Sequence, residues 1–189
     1  MSMTVKRKRD SQTPRVFVHK TADIRGGVSV ASSELGGDFL REGAILSAPI
    51  DGVTHVVKIG QVAAEVASDA KTIKVNKLHC FKVGDILMKT PGALASRITA
   101  IDDSNSQYDT ITLAAAIGAV AKGGLVAEAK ATSTGTTSEL KYEPQSVTGT
   151  GKPIDPTSNI NTDAWVIGVT KGNLVPDYVD VKLKGIVNL

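Results

Sequence analysis

The single cysteine, Cys80, together with His19, His55 and His79, supplies the residue types of a thiol nucleophile and its base. The surroundings do not fit that chemistry. Cys80 stands in "HCFKVGD", beside Phe81 and just ahead of a Gly-Asp turn, and the segment carries no typical nucleophile signature. It reads as a small buried apolar residue. The histidines are not joined by a His-x-x-x-His or paired-cysteine spacing, so they read as satisfied strand residues and not as metal ligands.

The carboxylates Asp102, Asp103 and Asp109 crowd into "IDDSNSQYD" and are the oxygen donors that Ca²⁺ takes. This run lacks the Gly at the bend and the closing Glu of an EF-hand loop, so a hairpin turn is the better reading. The "GTGK" of residues 149 to 152 lacks the spacing and the preceding strand of a phosphate loop, and there is no Gly-x-Ser-x-Gly elbow. No catalytic, cofactor-binding or metal-binding residue is therefore assigned, and no cofactor is expected.

The elements around these residues read as strands. Short β-branched runs bounded by Gly, Asn, Asp or Pro predict strands over 15–19, 27–31, 55–66, 72–75, 86–88, 96–102, 110–113, 125–129, 164–170 and 178–187. Only "AAAIGAVA", residues 114 to 121, has a helical composition, limited by Gly118 to a turn or so. In "ITAI" and "TITL" apolar residues alternate with Thr and Ala, the period of two expected of a strand with one buried face. Between them, Asp102-Asp103-Ser104-Asn105-Ser106 predicts a chain reversal, because these side chains bond to nearby backbone. "FKVGDIL" places Gly84 where a positive φ is needed and Asp85 where it can bond back to the turn. "FLREGAIL" and "AKGGLV" are related phrases, and all three predict turns that lead into strands.

The fold class expected is all-β, a small β-barrel or sandwich with a long polar loop and an extended N-terminal arm. Residues 1–37 form the basic tail and arm, 38–129 a β-barrel domain, 130–162 a polar loop or arm rich in Thr, Ser, Gly and Pro, and 163–189 the closing strands. With 189 residues the chain is long enough for one substantial core or two small ones, and at 4% aromatic content that core must be aliphatic. The formal charge of +3 gathers in "VKRKRD", residues 5 to 10, which leaves the rest near neutral and implies no nucleic-acid groove. "DSQTPR" follows in place of the apolar core of a secretory signal, and no run of about 18 apolar residues predicts a membrane span. One cysteine excludes a disulfide within the chain and fits a reducing compartment.

The combination "FKVGDIL … ITAID … YDTITL … AAIGAVAKGGLV", followed by "VTKGNL … DYVDVKLKGIVNL", resembles phage and prophage head-decoration and head-fibre proteins over roughly residues 38–129 and 164–189. The resemblance implies a virion structural protein, made in the host bacterium's cytoplasm, that decorates or projects from the phage head. It implies a homo-oligomer such as a trimer, with the major capsid protein as partner and with no enzymatic activity. A β-sandwich module for a carbohydrate or cell surface is the alternative. It is weakened by a supply of only one Trp and three Tyr for sugar stacking.

Overall fold

The computed structural model describes residues 15–189, so the basic run at residues 5–10 lies outside them. The fold is all-β and sandwich-like, with two six-stranded sheets and two short ribbons. Sheet I runs in the order β1 (Phe17–Asp23), β15 (Ala164–Thr170), β12 (Pro144–Thr148), β4 (Ile45–Ser47) and β5 (Val56–Val57). Its sixth strand, β16 (Ile186–Asn188), pairs in parallel with β15, whereas every other strand pair among the described residues is antiparallel. Sheet II runs β6 (Ile59–Gln61), β11 (Leu125–Glu128), β8 (Ile86–Met88), β9 (Ala95–Asp102), β10 (Tyr108–Leu113) and β7 (Thr72–Asn76). The ribbons pair β13 (Lys152–Pro153) with β3 (Phe39–Leu40), and β14 (Ile160–Thr162) with β2 (Val28–Val30).

Sheet II follows from alternation. Along β10, Asp109, Ile111 and Leu113 are buried while Tyr108, Thr110 and Thr112 are half-buried, and Ile73 and Val75 of β7 point inward in the same way. Ile73, Val75, Ile111 and Leu113 join Val62, Phe81, Leu87, Ile98 and Val126 in one cluster. The β9–β10 hairpin forms as its loop predicts: Asp102 Oδ1 accepts the Ser104 N–H at 3.0 Å, and Asn105 Oδ1 accepts the Gln107 N–H at 2.9 Å. Strand β7 also touches the continuation of β6 through the Val62–Val75 bridge and an Ala63 N–H bond to Lys74 O of 2.8 Å. That seam is one bridge and not a ladder, so the sandwich description holds.

The three related phrases share one turn. In each, the N–H of the fourth residue bonds to the carbonyl of the first: Ala44 to Arg41, Asp85 to Lys82 and Gly124 to Ala121. The third residue is Gly43, Gly84 or Gly123, with φ of 82°, 99° and 83°. A β-turn with positive φ at its third residue requires Gly there. Each turn delivers the chain into a strand one residue later: β4, β8 and β11.

Several expectations change. Residues 130–162 are not an arm: they hold β12, β13 and β14, and β12 lies between β15 and β4 in sheet I. Its Thr148 is accommodated because Thr148 Oγ1 donates to Arg41 O and accepts the Ala44 N–H, both at 2.9 Å, whereas the buried Ser146 Oγ has no hydrogen-bond partner. Residues 17–30 likewise contribute β1 and β2 to paired structure, so that part of the expected N-terminal arm is integral to the fold. Residues 39–57 supply β3, β4 and β5 outside sheet II, which is built from residues 59–128 alone. Residues 114–121 hold no helical turn; Gly118 has a positive φ, and Ile117 and Val120 drop into the core of sheet II.

The strand expected over 178–187 is instead a helical turn, α1 (Asp177–Asp180), followed by β16. Val179, Val181 and Leu183 do alternate in sequence, but Val179 and Leu183 are buried while Val181 is 71% exposed. Leu183 lies past the end of α1, where the Lys182 N–H bonds to Val179 O and the Leu183 N–H to Asp180 O, both at 3.0 Å, so the chain keeps turning and Leu183 joins Val179 in the same cluster. No helix among the described residues is long and apolar enough to cross a membrane.

The two sheets meet over a shared cluster in which Ile45, Val57 and Val147 of sheet I pack with Ile59, Met88 and Ala127 of sheet II, capped by Val179 and Leu183. Lys58 stands at this junction, between the last residue of β5 and the first of β6.

Candidate functional site

Two polar clusters occupy the interior. The first is the crossing from β7 to β8. Leu78 and Cys80 both have positive φ, 70° and 58°, which costs a non-glycine residue about 1–2 kcal/mol each. Such strain persists where neighbours over-determine the backbone, and it gathers at functional sites. Here the buried His79 side chain between them holds the turn. Its Nδ1 accepts the Phe81 N–H at 2.9 Å, its ring stacks on Phe81 at 5.0 Å, and its Nε2 lies 2.9 Å from Asp109 Oδ2. A ring nitrogen that accepts from a backbone N–H leaves the other to carry the proton, so Nε2–H donates to Asp109. Burial pushes the imidazole below the usual histidine range, against the pull of the Asp109 carboxylate. Lys77 bonds to the same carboxylate through Oδ1 and to Asp103 O at 3.0 Å.

These residues line a cleft of about 690 Å³, together with Gly36 to Phe39. It gathers Cys80, His79, Asp103 and Asp109, which the sequence raised separately. Their geometry is one of mutual satisfaction. The Cys80 thiol is buried and faces Phe39 O at 3.8 Å, and burial pushes it up to about 11 in spite of nearby Arg41 and Lys58. A neutral thiol is a poor nucleophile, and both nitrogens of His79 are engaged. Asp102 and Asp109 do not converge: Asp102 caps its own loop, whereas Asp109 faces His79 and Lys77. Among the described residues no group of three or more His, Cys, Asp and Glu could hold a metal ion.

The other residues raised by the sequence lie apart from this cleft. His19 is exposed on edge strand β1. The His55 ring stacks on Tyr142 at 4.4 Å, with Nδ1 3.1 Å from Glu34 Oε2. The "GTGK" glycines serve packing, since a Cβ on Gly149 would lie 2.1 Å from Trp165 Nε1.

The second cluster starts from Lys58, whose side chain is 1% exposed. Its Nζ lies 2.5 Å from Asp85 Oδ2 and 3.5 Å from Glu128 Oε2. Glu128 Oε1 accepts from Lys141 Nζ at 2.8 Å, and Lys141 lies 3.9 Å from Glu34 Oε2. Tyr142 donates to Glu34 at 2.8 Å. Burial pushes the Glu128 carboxyl above the usual range, with Lys58 opposing. Burial would raise Glu34 as well, but Tyr142, His55 and Lys141 together hold it below the usual range. Tyr142 is pushed up to about 12 by burial and by its bond to Glu34. The Glu128 Oε2 atom is buried without a hydrogen-bond partner.

Asp85 is legible in the sequence as a turn residue, whereas Lys58 and Glu128 are not singled out there. The available signal was a lone charge inside each apolar run, "HVVKIG" and "GLVAEA"; a charged residue is almost never fully buried unless paired. In comparisons with known proteins, no family model, no curated protein and no solved structure matches the chain.

Proposed function

We propose that the chain is a non-enzymatic structural protein of a phage or prophage head, decorating or projecting from the capsid as a homo-oligomer such as a trimer seated on the major capsid protein. The observation that carries this reading is the apolar face of the closing strands. Val169 of β15 pairs directly with Val187 of β16, and Ile167 lies two residues along β15 on the same face. Ile167 and Val187 are both exposed, as are Val18 on the flanking β1 and Leu189, whose N–H bonds to Thr170 O of β15. Adjoining exposed aliphatic side chains of this kind favour association with a protein surface. Among the described residues β1 pairs only with β15, so its outer edge is open to strand addition.

The groups with catalytic potential are engaged with one another inside the cleft, which favours a structural role. A carbohydrate-binding module would instead need free aromatic platforms, whereas Lys20 Nζ caps Phe17 at 5.1 Å and Trp165 at 5.3 Å. Co-sedimentation of the purified chain with phage head shells that lack it tests the proposal. Saturable binding to shells, lost with Ile167→Asp plus Val187→Asp, is expected. Absence of shell binding together with glycan affinity would overturn it.

A further inference from the structure

The Lys58, Asp85 and Glu128 side chains form a buried amine and acid set; the turn at Gly84 accounts for the bond of Asp85 to the Lys82 N–H and leaves its contact with Lys58 unexplained. Lys58 Nζ lies 2.5 Å from Asp85 Oδ2, inside the roughly 2.7–2.9 Å usual for an ammonium and carboxylate pair. The Lys58, Asp85 and Glu128 side chains are 1%, 10% and 3% exposed. Burying an ammonium between two carboxylates carries a desolvation cost that the Coulomb attraction often fails to offset. Joining two of the charges as a neutral amide removes much of that cost.

We propose that Lys58 and Asp85 become joined by an intramolecular amide bond, formed by the chain on itself with Glu128 as the proton-transferring acid. The reacting species are the neutral amine and neutral acid, reached by transfer of one proton from the ammonium to the carboxylate within the pair. The Lys58 Nζ lone pair attacks Asp85 Cγ, forming an N–C bond and placing negative charge on Oδ2. That oxygen already accepts the Lys82 backbone N–H at 2.9 Å, a donor aimed where charge develops. Glu128, 3.5 Å away through its otherwise unpartnered Oε2, takes the proton released by the nitrogen and returns one to the departing hydroxyl. The C–Oδ1 bond breaks and one water leaves. Glu128 ends in its starting form, and no oxidant or second substrate is consumed. Fixed placement of the two groups supplies the effective concentration that a free amine and acid in water lack.

The bond would tie the β5–β6 link to the turn that opens β8, across 27 residues of chain, at the point where the two sheets meet. A fibre or decoration subunit would gain resistance to unfolding under load. The chemistry itself does not depend on what the subunit binds.

Intact mass of the full chain under denaturing conditions, followed by proteolytic mapping, tests the proposal without any variant. The expected result is a mass lower than the sequence mass by one water, with a branched peptide joining the Lys58 and Asp85 segments and no cleavage after Lys58. A chain at its full sequence mass would overturn it, as would a water loss mapped to a cyclic imide at Asp51-Gly52. Glu128→Gln is expected to restore the full mass, and a variant that still carries the branched peptide would overturn the role given to Glu128.

Discussion

Sheet II is drawn from residues 59–128 in one unbroken stretch, whereas sheet I gathers strands from residues 17–23, 45–57, 144–170 and 186–188. The two are equal in strand number and differ in how far apart in sequence their partners lie. In sheet II the neighbouring strands β9 and β10 are joined by a five-residue loop, while in sheet I Ile45 of β4 is opposite Val147 of β12. Closing long loops costs entropy before their contacts repay it. The contiguous sheet is therefore the expected nucleus, with the dispersed sheet assembling on it through the shared cluster around Ile45, Ile59 and Met88. The surface proposed for assembly, on β15 and β16, belongs to the dispersed sheet.

Lys58 joins the two regions, and removing it gives the largest expected effect. Lys58→Ala leaves the buried Asp85 without its cationic partner and Glu128 with Lys141 alone, and loss of one partner of a buried ion pair costs about 3–5 kcal/mol. The fluorescence of the sole tryptophan, Trp165 in sheet I, and far-UV circular dichroism for both sheets should shift together in urea. Separated transitions would show that the junction does not couple them.

Core truncation sharpens the contrast kinetically. Ile111→Ala in sheet II and Leu46→Ala in sheet I remove side chains with no exposure, and each should lower stability by about 2–5 kcal/mol. In chevron measurements Ile111→Ala should mainly slow folding and Leu46→Ala mainly speed unfolding. The reverse assignment would place the nucleus in sheet I.

The repeated turn provides a smaller and matched test. At Gly84 an added Cβ meets nothing within 4 Å, so Gly84→Ala should cost only the left-handed backbone term, about 1–2 kcal/mol. Gly43→Ala should cost more by thermal unfolding, because its Cβ would lie 2.5 Å from Val16 Cγ2 and 2.7 Å from Asn173 Oδ1. The same phrase thus stands free in sheet II and is clasped by Val16 and Asn173 in sheet I.

The smallest effect is a pH dependence. Glu34 has a folded-state pKa below its unfolded value, so its contribution is fully present above the unfolded pKa of 4.5 and is lost as pH falls through the lower folded value. Stability measured by urea unfolding should decline over that acid window, and Glu34→Gln should flatten that part of the decline.

What could be read from the sequence divides along the same line. The β9–β10 hairpin and the three Gly turns were legible because alternation and backbone-bonding side chains act within a few residues. Strand β12 was not legible, because "PQSVT" is polar and its burial depends on Arg41 and Ala44, some hundred residues away. Helix α1 was hidden because Val179, Val181 and Leu183 alternate as a strand would, and only the packing of Val179 and Leu183 against the shared cluster, through turns that continue past Asp180, departs from that pattern. Cys80, His79 and the Asp102–Asp109 loop were visible as residue types, and the turn role of Asp102 followed from its neighbours. The His79–Asp109 bond depends on the two-sheet geometry, as does the meeting of Lys58, Asp85 and Glu128. A lone charge within an apolar run does not name its partner.

The central claim is that the closing strands of sheet I present an association surface. Sedimentation equilibrium of the full chain tests it most directly. The account predicts a homo-oligomer that Ile167→Asp plus Val187→Asp reduces to the 19.7 kDa monomer with an unchanged β-sheet spectrum. A wild-type chain that remains a 19.7 kDa monomer throughout the concentration range would contradict it.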